Sequence, residues 1–213
     1  DRVPAPSLND NIDALRNSVD LVASPYNAMY GTDFMGSEGL ELASNYPVTI
    51  GVGALTQRAI ARVNHEAVWE AVSRYQAHNG LRPHLEASAE WLTGLGVNAR
   101  AEDILIAPGA QAATQTALMA LAKPGDLIVA EALSWPGVKV TAAPLGLRVE
   151  GLAMDEHGLI PDAFEQACRD RAPRLLYLLP TLQNPTASIM PEDRRRQIAE
   201  IARKYGMFVI EDD

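Results

Sequence analysis

Four short turns in this chain carry residue types that could do chemistry together. Pro108-Gly109-Ala110-Gln111 opens a helix. Small residues there let backbone approach a ligand closely, and the N–H groups and dipole of a helix N-terminus favour a phosphate. An ordinary tight turn between two elements reads the same way. Glu131-Ala132-Leu133-Ser134-Trp135-Pro136-Gly137 carries an indole, Trp135, that can stack on a flat heteroaromatic ring or fill a sheet–helix interface. Pro180-Thr181-Leu182-Gln183-Asn184-Pro185-Thr186 sets Asn184 in a proline-rich turn, where its amide can donate to a ligand oxygen or cap the turn. Ile210-Glu211-Asp212-Asp213 supplies carboxylates that can hold a protonated ring nitrogen by a charge-assisted bond, or stand as solvated loop acids.

The elements that must position these turns alternate. Short apolar runs at 104–107, 127–130, 147–152, 175–179 and 207–210 read as strands. Helical patterns at 111–121, 135–143, 161–171 and 191–205 separate them. Strands that are apolar throughout and alternate with helices predict a parallel sheet covered on both faces. Ligands bind such sheets at the carboxyl ends of the strands, and the four turns each follow an expected strand. A phosphate cradle, a ring face, an oxygen partner and a carboxylate at one sheet edge describe a pyridoxal phosphate site. Upstream, 55–63, 66–75 and 85–95 have helical spacing, and 40–47 is a short, partly extended segment. Residues 1–38 are rich in Pro, Asn and Gly, with one helical stretch at 12–22, and read as an arm or linker.

Composition narrows the function class. The 213 residues include 18 Lys+Arg against 27 Asp+Glu, a formal charge of −9, with 47% hydrophobic residues. So acidic a chain is a poor non-specific binder of nucleic acid or anionic membrane. No apolar run approaches the roughly 18–20 residues that span a bilayer. The single cysteine, Cys168, excludes an internal disulfide and reads as a small buried apolar residue. The four histidines show no metal-ligand spacing, and Arg194-Arg195-Arg196 reads as a solvated helix face.

On these motifs the sequence resembles the class I/II aminotransferases, the fold type I PLP-dependent enzymes. The resemblance rests on 180–186, Arg194-Arg195-Arg196, Ile198-Ala199, 209–213, Gly109-Ala110-Gln111 and 131–137, and covers about residues 40–213. It implies an α/β fold, a mainly parallel sheet with helices on both faces, as an incomplete aspartate aminotransferase-like large domain. It divides the chain into the arm or linker at 1–38, an N-terminal helical segment at 39–100 and the first part of the large domain at 101–213. It implies pyridoxal 5'-phosphate as cofactor. Gly109, Ala110 and Gln111 resemble the phosphate cradle, and Trp135 stands where the family places a ring-stacking aromatic, commonly Tyr. Asn184 resembles the partner of the phenolic oxygen and Asp212 that of the pyridine nitrogen. Tyr75, five residues before Gly80, resembles the tyrosine that reaches the neighbouring subunit's phosphate in a homodimer. Ala187 departs from the Gly usual after Asn-Pro-Thr.

No catalytic residue is assigned. The family's Schiff-base lysine lies beyond the pyridine-binding Asp, whereas Lys123, Lys139 and Lys204 all precede Asp212. The chain therefore reads as a fragment, inactive alone. The motifs at 131–137 and 180–186 resemble more finely the aminotransferase-like domain of MocR-type regulators in the GntR group. That resemblance implies an amino acid or amine effector, a cytoplasmic location, and DNA contact only through a winged-helix module absent from these residues. The alternative is part of a stand-alone aminotransferase similar to the kynurenine/aminoadipate group.

Overall fold

The computed structural model describes residues 51–213. The arm or linker at 1–38 and the segment at 40–47 lie outside the described residues. The chain divides into two compact units, Asp1–Tyr75 and Gln76–Asp213. The first contains helices α1 (Val52–Val63) and α2 (Glu66–Val72), where helical apolar spacing predicts them. Their apolar residues Leu55, Ile60 and Trp69 are exposed, and Tyr75, which follows, is fully exposed.

The second unit begins with α3 (Arg82–Gly94), which has a proline in its first turn, where the missing N–H costs nothing. It continues through α4 (Ala110–Leu121), β1 (Leu127–Glu131), α5 (Gly137–Ala142) and β2 (Arg148–Leu152). A small hairpin follows, β3 (Met154–Asp155) with β4 (Gly158–Leu159), then α6 (Pro161–Arg171), β5 (Leu175–Leu178), α7 (Glu192–Lys204) and β6 (Phe208–Glu211). The main sheet is parallel throughout, in the order β2-β1-β5-β6.

Side-chain alternation explains the continuous apolar strands. On one face Ile128, Ala130, Leu175 and Tyr177 pack against Leu118 of α4 and Val138 and Ala142 of α5. On the other, Leu127, Val129, Leu176 and Leu178 pack against Phe164 and Ala167 of α6 and Ile198 and Ala202 of α7. Every residue of β1 and β5 is buried, while the edge strands β2 and β6 are partly exposed. Each fully buried large apolar side chain contributes about 1.5–3 kcal/mol relative to exposure. Cys168 sits in the second of these cores, as expected of a small apolar residue.

Two expectations are corrected. Residues 104–107 form no strand. Ile104 has extended backbone, but the Ile106 N–H donates to Asn79 O at 2.9 Å, and Leu105 and Ile106 are exposed. An apolar run becomes a strand only beside a partner, and among the described residues none pairs with it. The β3–β4 hairpin was not expected, because two-residue strands leave no periodicity to read. Among the described residues no helix is long and apolar enough to cross a membrane.

Candidate cofactor site

Because all four main strands are parallel, the loops after β1, β5 and β6 leave from one edge of the sheet. The loop after β1 carries Trp135, which is half-buried. A Cβ placed on Gly137 would lie 2.0 Å from an atom of the Trp135 ring, so the indole rests on the first turn of α5 only because residue 137 has no side chain. Trp135, Ser134, Lys139, Gly151 and Pro185 line a cleft of about 140 Å³.

The loop after β5 carries Asn184, half-buried, joined to Pro185 by a cis peptide. Its neighbour Gln183 is 1% exposed and stitches two loops together. The Gln183 Nε2 donates to Leu133 O, in the Trp135 loop, at 2.6 Å. Its Oε1 accepts from the Thr186 N–H at 2.9 Å and from the Thr186 hydroxyl at 2.7 Å. Glu131, at the end of β1, is 2% exposed, and its Oε2 accepts the Leu179 N–H at 3.1 Å. Burial raises the Glu131 carboxyl above its ordinary value, and the Leu179 N–H and the Gln183 amide pull it partly back.

The stretch after β6 carries Asp212. Its N–H continues the ladder, donating to Leu178 O at 3.0 Å, and its Oδ2 accepts the phenol of Tyr177. Burial, then the Asp212 bond, pushes the Tyr177 phenol well up, so it is a donor at any ordinary pH. Arg195 of α7 joins the second and third loops. Its guanidinium donates to Pro180 O at 2.8 Å, Thr181 Oγ1 at 3.0 Å and Met190 O at 3.0 Å, and faces Glu211 at 3.5 Å. The arginine run is therefore not one solvated face. Arg194 pairs with Asp155 of the hairpin at 2.5 Å, Arg195 holds the loops, and only Arg196, paired with Glu192, stays largely in water.

The Gly109–Gln111 turn reaches the same edge by a different route than expected, from a helix rather than a strand end. The carbonyl of Leu121, last in α4, accepts from Arg174 Nε at 2.7 Å, and Arg174 precedes β5 at the amino edge. Twelve helical residues at about 1.5 Å each run back roughly as far as five strand residues at about 3.3 Å each. The first turn of α4 thus opens at the carboxyl edge, with Gly109 at φ 95°, no acidic residue in that turn, and Gly109, Ala110 and Gln111 exposed. Trp135, Asn184 and Asp212 thus follow parallel strands at one edge, and the length of α4 carries its first turn towards that edge. Tyr75 belongs to the other unit. Tyr177, Glu131, Gln183 and Arg195 were missed as positioning groups. The signal was a polar tip inside a buried apolar run. Among the described residues no group of three potential ligands could hold a metal.

Comparison with known proteins gives three kinds of relative. The profile of the aminotransferase class I and II family matches residues 38–213. The HTH-type transcriptional regulator YdeF of Bacillus subtilis strain 168 is 35% identical over 127 residues, covering 60% of this chain and 28% of that protein. An archaeal alanine:glyoxylate aminotransferase superposes with a TM-score of 0.72 at 25% identity, over 90% of this chain and 48% of its own. LysN, the alpha-aminoadipate aminotransferase of Thermus thermophilus, complexed with N-(5'-phosphopyridoxyl)-L-leucine, gives 0.64 at 29% identity, over 75% and 39%. The chain thus spans under a third of that regulator and under half of each of these two enzymes.

Proposed function

We propose, from the premise that this chain belongs to the aminotransferase class I and II family, that it is the cofactor-binding part of an effector-sensing domain in a MocR-type regulator of the GntR group. Its α/β fold is that of PLP-dependent aminotransferases, and pyridoxal phosphate is the cofactor. The observation that carries the regulator reading is the 35% identity to an HTH-type regulator. Identity of 29% to LysN favours a second reading, part of an enzyme that moves an amino group between an amino acid and a 2-keto acid.

The donor set suits the cofactor. Among the described residues Oδ1 of Asp212 accepts no hydrogen bond while Oδ2 is taken by Tyr177, so one carboxylate oxygen remains for a ring N–H. Bound, the cofactor supplies an aldehyde that captures primary amines and a ring that withdraws electrons from them. The chain's residues do the holding. The α4 N-terminus at Gly109, Ala110 and Gln111 receives the phosphate, with the helix dipole as attraction. Trp135 covers one ring face, Asn184 donates to the phenolic oxygen, and Asp212 keeps the ring nitrogen protonated. Tyr75 reaches the partner subunit's phosphate in a homodimer of the whole protein. The ligand sensed is an amino acid or amine, and DNA is met through a winged-helix module outside these residues, in the cytoplasm.

Full-length protein loaded with cofactor separates the two readings. A regulator changes its visible absorbance on adding an amine and shows no repeated turnover with a keto acid. An enzyme transfers the amino group over many turnovers, which would overturn the regulator reading. Loss of cofactor retention in Asp212→Asn and Asn184→Ala is expected under both.

A further inference from the structure

Tyr177 is the one fully buried residue of β5 with a polar tip. It stands opposite Ile210 in the β5–β6 register, so its side chain lies on the same sheet face as that of Asp212, two residues beyond Ile210 and just past the end of β6. Its phenol reaches across the strand pair and donates to Asp212 Oδ2. Leu118, Leu175 and Ile210 share its apolar cluster. The other ionisable group that acts on the phenol is Glu131 at the end of β1.

We propose that Tyr177 is a positioning residue for Asp212: it fixes one carboxylate oxygen so that the other is presented to the protonated ring nitrogen of the cofactor. This rests on the assignment of Asp212 to that nitrogen. A carboxylate on an exposed chain swings freely, whereas one held by a buried donor offers its second oxygen in one direction, at no ordering cost when the ring arrives. The phenol also draws charge from the carboxylate, so Tyr177 moderates how strongly Asp212 holds the ring proton.

The test uses the full-length holoprotein. Tyr177→Phe keeps the ring and removes the donor. Cofactor release by dialysis should quicken and the dissociation constant rise about tenfold, the scale of one hydrogen bond to a charged group. The pH midpoint of the bound cofactor's visible band should move by about half a unit. Replacing Tyr177 by difluorotyrosine, a stronger donor that keeps the packing, should move that midpoint the opposite way, and it serves equally if the Phe variant is unstable. In an Asp212→Asn background Tyr177→Phe should add little, because the two act as one unit. If Asp212→Asn retains cofactor like wild type, the Asp212 assignment itself fails. If Asp212→Asn loses cofactor but neither Tyr177 variant changes midpoint or retention, the assignment stands and the Tyr177 proposal falls. An equal effect of Tyr177→Phe in both backgrounds also overturns it, since the phenol would then act through packing alone.

Discussion

Gly137 shows how a single missing atom shapes the site. A methyl there would fall 2.0 Å from the Trp135 ring, inside any permissible contact. Alanine is the better helix former by about 0.5–1 kcal/mol, but overpacking costs about 1–3 kcal/mol, so the clash wins. Gly137→Ala should lower stability by about 1–2 kcal/mol and push the indole outward. A red shift of tryptophan emission checks it, and unchanged emission would mean the ring has another resting place. Glu131 gives a pH-dependent case. Its carboxyl is raised chiefly by burial, so the folded chain holds that proton more tightly than the unfolded one. The stability this contributes is complete below the ordinary glutamate range and lost as pH rises through the raised value. Glu131→Gln keeps an acceptor for the Leu179 N–H without a charge. Its urea midpoint should match wild type in acid and gain on it towards neutral pH. Parallel curves across that range would contradict the assignment. Glu131→Ala should instead cost about 1–3 kcal/mol in acid, by orphaning that N–H, a cost that narrows as pH rises and wild type loses its own stability.

At the level of elements, the two central strands were legible because burial on both faces writes itself as unbroken apolar runs, as in 127–130 and Leu175–Leu178. Helix α6 was legible to the residue, from the proline at its start. The run at 104–107 misled for the same reason that the others succeeded. Apolar residues announce burial or strand propensity, not the presence of a neighbour to pair with, and here Ile106 bonds to a loop carbonyl instead. The turns that carry Trp135, Asn184 and Asp212 were legible from residue type and from their place after strands. What holds them was not, because Arg195 sits between two arginines of the same charge and only its direction distinguishes it. Arg195 binds carbonyls from two positions through a planar fork that lysine cannot reproduce. Arg195→Lys should therefore loosen residues 180–190, costing about 1–2 kcal/mol and speeding amide hydrogen exchange there. Arg196→Ala, removing an exposed pair with Glu192, should stay within about 0.5 kcal/mol. Equal exchange in the two variants would show that Arg195 does not fix the loop.

For the molecule as a whole, the question is whether these 213 residues can anchor the cofactor covalently as well as hold it. The sequence contains three lysines, and the fold disposes of two of them. Lys123 lies in the turn before β1, its N–H bonded to Asp126 Oδ2 at 2.8 Å, at the amino edge and so across the sheet from Asp212. Lys204, at the end of α7, pairs with Glu165 of α6 at 2.6 Å, on the outside of the helix layer. Lys139 on α5 lines the cleft beside Trp135, the nearest approach of a lysine to the candidate site. That cleft is lined by Gly151 of β2 and also by Pro185, next to Asn184, so it adjoins the candidate site, and Lys139 itself is exposed. The resemblance sets the anchoring lysine beyond Asp212, whereas Lys139 precedes it. A polypeptide of these 213 residues should take up pyridoxal phosphate reversibly and lose its visible band on dialysis, with Lys139→Arg indistinguishable from wild type. Retention of the band through dialysis, abolished by Lys139→Arg, would show that α5 supplies the anchor. Retention that survives replacement of all three lysines would show that the non-covalent contacts at the sheet edge suffice.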